Sequence, residues 1–395
     1  MASLTALILA AGAGNRFKPI VTSKPLLPFC GRTLLDWVIT DLKAAGIKKF
    51  IVVVSPKDKD QVKSYDTVVQ TKPTGMAGAV LASKAKLSGP VIVVNADDLL
   101  SPSTYRTFVK TIKKHPDSPA VTGWRIKDYF PGGYLTIRKN QVIGIIEKPQ
   151  PHCLPSKYLN LVLHYFPQIK VFLDLLSQTK SSHDDVYELA LTRLLTKTPA
   201  ALVKADGYFQ SLKYPWQILD MTQIILAHRL KPGIDKTAKI HPTVVIEGPV
   251  RIEAGVKIMP YAIIKGPAYI GKNVVIGDHV LIRNSIIEAA SVIGYKTEIA
   301  RSYVGPNNFF HKNYVGDSVI ESDSNLGSGA TLANLRFDKK EIIPGRNKLG
   351  AIMAQGSQLG VNVSVMPGVS LGAKAIVGSG LVLTKPLEAG EFKKA

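Results

Sequence analysis

Two glycines, Gly12 and Gly14, end an apolar run at residues 4–9, and Arg16 and Lys24 follow in the stretches LAAGAGNRFKP and SKP. Glycine allows tight turns and lets backbone N–H groups approach a phosphate chain. Arginine and lysine neutralise oxygens that gain charge during phosphoryl transfer. The combination points to chemistry on a polyphosphate. Phe17 stands where a dinucleotide-binding G-x-G-x-x-G would end, and no G-K-[ST] of a P-loop follows. A structural turn ringed by surface charge has the same composition, so more of the chain must decide.

The elements around the loop favour a ligand site. Residues 4–9, 50–54 and 91–95 are short Val-, Ile- and Leu-rich runs of the kind that form buried parallel strands. Helical patterns at 33–46, 76–86, 184–197 and 215–229 alternate with apolar runs. This alternation predicts a doubly wound, Rossmann-like α/β domain over 1–230. Gly12 and Gly14 would then lie at the carboxyl edge of the sheet, where such folds bind ligands.

Past RLKPGID the period changes. Isoleucine stands at 240, 246, 252, 258, 264, 270, 276 and 282. The phase slips, resumes at Ile287, Ile293 and Ile299, returns at Ile320, Leu326 and Leu332, and closes with Leu359, Val365, Leu371, Val377 and Leu383. A step of six fits neither a helix nor an ordinary strand. It fits a parallel β-helix of hexapeptide repeats, each repeat forming one flat side of a triangular coil. The hexads predict a left-handed parallel β-helix over 231–395. Residues 333–350 break the period and should loop out, as functional loops on rigid scaffolds do.

The 395 residues suffice for two or three domains with real cores, and 46% hydrophobic with 20% charged content is that of a soluble globular chain. The first apolar run is about half a membrane span and no basic region precedes it, so the expectation is a cytoplasmic protein without a membrane partner. Cys30 and Cys153 form neither a disulfide framework nor a metal cluster and are expected to be buried. The net charge of +21 suits phosphate-rich partners. The lysines are scattered and lack interleaved aromatics, so nucleic acid is not expected.

LAAGAGNRFKP followed by SKPLLPFCGRTLLDW resembles the nucleotidyltransferase signature of sugar-1-phosphate pyrophosphorylases. The resemblance implies a loop, with Gly12 and Gly14, around a nucleoside triphosphate whose phosphates Arg16 and Lys24 hold. QTKPTGMAGAV resembles a base-reading Q-x4-G-T-x-x-A segment, through Gln70 and Gly75, with Met76 in place of the threonine. VVNADDLL resembles a strand end that binds Mg2+, which would be held by Asp97. PGGY places Gly133 beside the sugar; IIEKP gives Glu147 and Lys148 for its hydroxyls and phosphate; YLNLVLHYF gives Asn160, with Val162 where the family has glycine. YPWQILDMT resembles the closing helix, with Ser211 where a second acidic metal ligand is common and Thr222 where asparagine is usual.

The solenoid resembles the acetyltransferase domain of the bifunctional enzymes that make UDP-N-acetylglucosamine. HKNYVGDSVIESDSNLGSGATLANLRFD implies His311 as general base, with Tyr314, Asn325, Ser328 and Asn334 placing an amino sugar phosphate and acetyl-CoA. A neutral imidazole is a suitable base for an amine nucleophile. Ala300 stands where bacterial members have a phosphate-holding lysine, which leaves Arg283 or Arg301 to take that role. Such solenoids imply a homotrimer. The resemblance predicts nucleotidyl transfer from UTP or dTTP to a sugar 1-phosphate, joined to acetyl transfer to glucosamine 1-phosphate or galactosamine 1-phosphate. A monofunctional pyrophosphorylase with a structural solenoid and a non-catalytic regulatory subunit are the other readings.

Overall fold

A computed structural model describes residues 4–394. The chain divides into two compact units, one of Met1–Ala13 with Leu35–Phe209, the other of Gly14–Leu34 with Gln210–Ala395.

The first unit is built on one nine-stranded sheet. Its order is Asp66–Val69, Lys49–Val54, Thr5–Ala10, Val91–Asn95, Tyr158–Phe166, Ala120–Arg125, Ala200–Lys204, Gln141–Glu147 and Gly133–Arg138. The first four strands are parallel, as the apolar runs predict. Beyond them the sheet is mixed: Tyr158–Phe166 runs antiparallel to both neighbours, Ala120–Arg125 and Ala200–Lys204 pair in parallel, and Gly133–Arg138 with Gln141–Glu147 is a hairpin. The three inner parallel strands are buried on both faces, Ala6, Leu7, Ile8, Ile51, Val52 and Val93 having no exposed surface, whereas the edge strand Asp66–Val69 is only partly covered. Helices α1 (Leu34–Ala44), α2 (Gly75–Ala82), α3 (Pro102–Lys114), α4 (Ile169–Gln178) and α5 (Val186–Lys197) supply the cover. Ile169, Phe172, Leu176, Tyr187, Leu191 and Leu195 share one core with strand residues Val91, Val121 and Phe166.

The second unit is a three-sided parallel β-helix whose sides are sheets of eight, nine and eight strands. The hexad residues line its interior: Ile252, Ile264, Ile276, Ile293, Ile320, Leu332, Val365 and Leu371 are all fully buried in one apolar core. The phase slips have a physical cause. Ile258 pairs with Ile276 eighteen residues on, Ile276 with Ile293 seventeen on, and Phe310 with Leu326 sixteen on. The sheets keep register while the corners lose residues. Buried polar side chains stitch the tightened corners: Ser285 accepts from Ser302 N, Ser302 from Ser318 N, and Asn308 donates to Gly305 O and Glu321 O. Residues 333–350 leave the coil as predicted, yet Leu326 pairs with Leu359 and Leu332 with Val365 across the insertion. Helix α6 (Gln217–His228) belongs to this unit, and its Asp220 receives Arg346 of the insertion.

The cysteines differ from expectation. Cys30 is half-buried and Cys153, in a loop, is exposed.

Candidate active sites

In the first unit, Gly12, Gln70 and Asp97 lie just past the carboxyl ends of the parallel strands Thr5–Ala10, Asp66–Val69 and Val91–Asn95, with Lys49–Val54 between the first two. The Ala96 amide donates to Leu9 O and the Gln70 amide to Val54 O, which extends the strand pairing to these positions. An added Cβ at Gly12 would meet nothing within 4 Å, so the backbone there is open to a ligand. Gln70 is buried and donates through Nε2 to Gly75 O at 3.2 Å. Gly75 takes a φ of +68°, and a Cβ on it would sit 2.1 Å from Asp184 Oδ1. Both the left-handed turn and the close carboxylate require glycine.

Gly133, Glu147 and Asn160 are brought together. Glu147 pairs with Gly133 across the hairpin, and a Cβ on Gly133 would lie 2.9 Å from Glu147 Oε2 and 3.6 Å from Asn160 Cβ. Ile145 Cγ2 would lie 3.0 Å from the same Cβ, so the space over Gly133 is filled, and glycine lets the Glu147 carboxylate pack against the backbone with Asn160 alongside. Lys148 takes a left-handed φ of +45° that turns its exposed side chain, 3.8 Å from Glu147 Oε1.

Behind Asn160 lies a relay not found from the sequence. Asn160 Oδ1 is 2.9 Å from His164 Nε2, and His164 Nδ1 is 2.8 Å from the Tyr187 hydroxyl. His164 is fully buried, and burial pushes its pKa down to about 3, so the ring is neutral. A spacing of four places Asn160 and His164 on one face of a regular strand but too far apart to touch, and the irregularity between Leu161 and His164 accompanies their contact.

Nearby is a cavity of about 480 Å3 lined by Thr74, Gly75, Met76, His183, Asp184 and Glu188. Glu188 is buried, and its pKa is raised to about 7 by burial first, then by Glu147, Asp184 and Asp185. Among the described residues no group of three or more His, Cys, Asp or Glu could hold a metal ion. Asp97, half-buried in the turn between Val91–Asn95 and Asp98–Leu100, offers one hard oxygen donor. That fits Mg2+, which takes few protein ligands when phosphates supply the rest.

Arg16 and Lys24 belong to the second compact unit. Arg16 lies exposed with its guanidinium 5.8 Å from the Tyr214 ring centre, and Lys24 Nζ lies 5.5 Å from that of Phe17.

In the solenoid, His311 ends the strand Phe309–Phe310 and is exposed, its ring edge-on to Phe309 at 5.0 Å. The exposed Asn325 pairs with Phe309 on the next coil, and the exposed Ser328 lies in the turn beyond it. Round the corner, Tyr314 donates to Asn334 Oδ1 at 3.5 Å, and Asn334 donates to Asp317. Asp317 also receives Arg301 in a two-pronged pair, Nε to Oδ1 at 2.8 Å and Nη2 to Oδ2 at 2.6 Å. Arg283 meets Glu298 at 2.7 Å. Ala300 is fully buried. Both arginines that could take over the missing lysine's role are thus already engaged by carboxylates, and Asp317, missed in the sequence, organises the corner.

A model of the MobA-like NTP transferase domain matches residues 6–171, and the bacterial transferase hexapeptide model (six repeats) matches 249–284, the region of the left-handed β-helix. The chain is 31% identical to the bifunctional sugar-1-phosphate nucleotidylyltransferase/acetyltransferase of Sulfurisphaera tokodaii, over 99% of this chain and all of that protein. It is 33% identical to the bifunctional protein GlmU of Methanococcus vannielii and 32% to that of Methanocaldococcus jannaschii, each over 98% of this chain and 97% of the relative. Among solved structures, a putative glucose-1-phosphate thymidylyltransferase from Bacillus anthracis shares the fold with a TM-score of 0.50 at 20% identity, over 58% of this chain and 98% of that one. The chain therefore belongs to the family of bifunctional sugar-1-phosphate nucleotidylyltransferase/acetyltransferases, a membership that both of its architectures and nearly its whole length support.

Proposed function

We propose that this protein joins a sugar 1-phosphate to a nucleotide and acetylates an amino sugar 1-phosphate. The reading of the first activity is supported by one observation above others: the fold packs the Glu147 carboxylate against Gly133 with Asn160 alongside, so three separate motifs meet at one place. An oxygen of the sugar 1-phosphate attacks the α-phosphorus of UTP or dTTP in line, and the bond to pyrophosphate breaks. Gly12 and Gly14 leave room for the triphosphate, Gln70 and Gly75 read the base, and Arg16 and Lys24 offset the charge that grows on phosphate oxygens. Glu147 and Asn160 hold sugar hydroxyls, and Lys148 holds the sugar phosphate. Asp97 would hold Mg2+, which when bound neutralises charge on the triphosphate.

For the second activity, His311 takes a proton from the sugar's amine. The amine attacks the thioester carbonyl of acetyl-CoA and the thiol leaves. Tyr314, Asn325, Ser328 and Asn334 place the two substrates, with Arg283 toward the phosphate. We assign the two activities to domains 1–230 and 231–395, in a cytoplasmic homotrimer. No helix among the described residues is long and apolar enough to cross a membrane.

One observation favours a second reading. Arg283 and Arg301 are both paired with acids, so the solenoid offers the acceptor phosphate less than a lysine at 300 would. The protein would then be a monofunctional pyrophosphorylase with an assembling solenoid. Incubating it with each sugar 1-phosphate and each triphosphate, and measuring pyrophosphate release, tests the first activity. Thiol release from acetyl-CoA with glucosamine 1-phosphate and galactosamine 1-phosphate decides between the readings. Failure of both assays would favour a regulatory subunit.

A further inference from the structure

The segment that carries Arg16 and Lys24 is held by two buried glutamates of the solenoid. Glu321 accepts from Thr22 N at 2.7 Å and Val21 N at 3.1 Å, and from Gln355 N of the next coil at 2.9 Å. Glu288 accepts from Gly31 N at 3.1 Å and from Cys30 N. The two glutamates are 3% and 2% exposed. Phe17, Leu27 and Phe29 of the segment are buried; Phe29 lies 5.4 Å from Tyr303, whose hydroxyl donates to Pro28 O. Lys24 stands on a short turn between the two clamped stretches.

The coil does not need an acid at this corner on every turn, although Glu321 also caps Gln355 N of the solenoid. One residue past the paired Ile252, Ile270, Ile287, Val304 and Ile320 stand Glu253, Gly271, Glu288, Gly305 and Glu321. Glycine therefore serves the same corner on alternate coils. Glu253 is satisfied within the solenoid by Arg251. Glu288 and Glu321 instead turn to the segment, and burying a carboxylate is costly unless hydrogen bonds compensate it. Backbone amides at defined positions are what these two acids fix. A cation on a segment fixed in advance binds a phosphate chain without the entropy loss of ordering it.

We propose that Glu288 and Glu321 are positioning residues for nucleotidyl transfer: they fix the Gly14–Leu34 segment, so that the solenoid sets the affinity of Arg16 and Lys24 for the triphosphate. The inference rests on the nucleotidyl-transfer reading given above. It couples that activity to the solenoid by residues that touch no substrate.

The test uses the full-length protein and its Glu321→Gln and Glu288→Gln variants. The amide keeps the shape but leaves one oxygen for the donors and turns an NH2 toward them. Hydrogen exchange reads the amides of Val21, Thr22 and Gly31; steady-state pyrophosphate release reads KM for UTP or dTTP and for the sugar phosphate. The expected result for E321Q is faster exchange at Val21 and Thr22, with kcat/KM for the triphosphate lower by between about tenfold and a hundredfold and KM for the sugar phosphate unchanged. E288Q should do the same with faster exchange at Gly31. Thermal midpoints taken alongside keep the assays below unfolding. A variant that loses amide protection yet keeps the parent's triphosphate kinetics would overturn the inference, as would unchanged exchange. Equal losses for both substrates would mark a merely structural role and overturn it too. If the parent itself releases no pyrophosphate with any pair, the nucleotidyl-transfer reading fails and takes this inference with it.

Discussion

The imidazole Nδ1 of His164 lies 2.8 Å from the Tyr187 hydroxyl, with the two rings stacked 5.7 Å apart and both side chains buried. Burial holds the phenol protonated and the imidazole neutral. Nε2 faces the carbonyl oxygen of Asn160, so that nitrogen carries the hydrogen and Nδ1 accepts from Tyr187. The relay runs from α5 through the central strand to Asn160 and fixes the orientation of its side-chain amide.

Removing the first link should loosen the last. Tyr187→Phe keeps the ring but strands a buried acceptor, a loss of about 1–3 kcal/mol in stability. KM for the sugar phosphate should rise several-fold while KM for the triphosphate stays at the parent's value. Steady-state kinetics with each substrate varied in turn would show this. An unchanged sugar phosphate KM would reduce the relay to core packing.

Glu188 should make stability fall as pH rises. Its folded pKa of about 7 stands above its unfolded value, so between about pH 4.5 and 7 the folded state binds the proton more tightly. Stability is lost across that window and is constant beyond it as far as this group is concerned. Glu288, raised to about 8, acts in the same direction over a wider window. Glu188→Gln should therefore flatten, without abolishing, the decline of the thermal midpoint from pH 5 to 8. A profile parallel to the parent's would contradict this.

Lys24→Ala and Asp97→Ala should each slow nucleotidyl transfer by about a hundred- to a thousandfold, the scale of removing one electrostatic contact to a transition state. Acetyl transfer should remain at the parent's rate. Paired assays of pyrophosphate and thiol release check it. Parent-like nucleotide sugar formation in both variants would mean that the site lies elsewhere.

His311→Ala should lose acetyl transfer by about a hundred- to ten-thousandfold, the usual contribution of a general base. Nucleotidyl transfer should not change. His311 is exposed and its ring contacts only Phe309 among the aromatic contacts of the described residues, so folding should survive the change. A fall in both activities together would identify a structural histidine instead.

The hexad core was readable because every sixth residue must enter the same apolar interior, and only large aliphatic residues fill it. The slips in that pattern were visible but their cause was not. Ser285, Ser302 and Ser318 look like ordinary turn residues until coils are stacked. The antiparallel pairings of Tyr158–Phe166 escaped for another reason: buried apolar runs carry no sign of direction. Gly133, Glu147 and Asn160 were legible as separate motifs, and the hairpin supplied their convergence. The membership of Gly14–Leu34 in the second compact unit could not be read at all. It depends on contacts such as Val21 to Glu321, three hundred residues apart, made by side chains whose local setting is an ordinary hexad corner.

The insertion at 333–350 leaves and re-enters a solenoid whose three sheets continue past it, Ile320 against Met353, Leu326 against Leu359 and Leu332 against Val365. Its two ends are therefore fixed by coils that would stack in its absence. Closing a loop twice as long costs only about 0.6 kcal/mol more. Selection can lengthen, shorten or rewrite this loop while the rod beneath keeps its pitch, so the insertion can change in sequence without risking the fold.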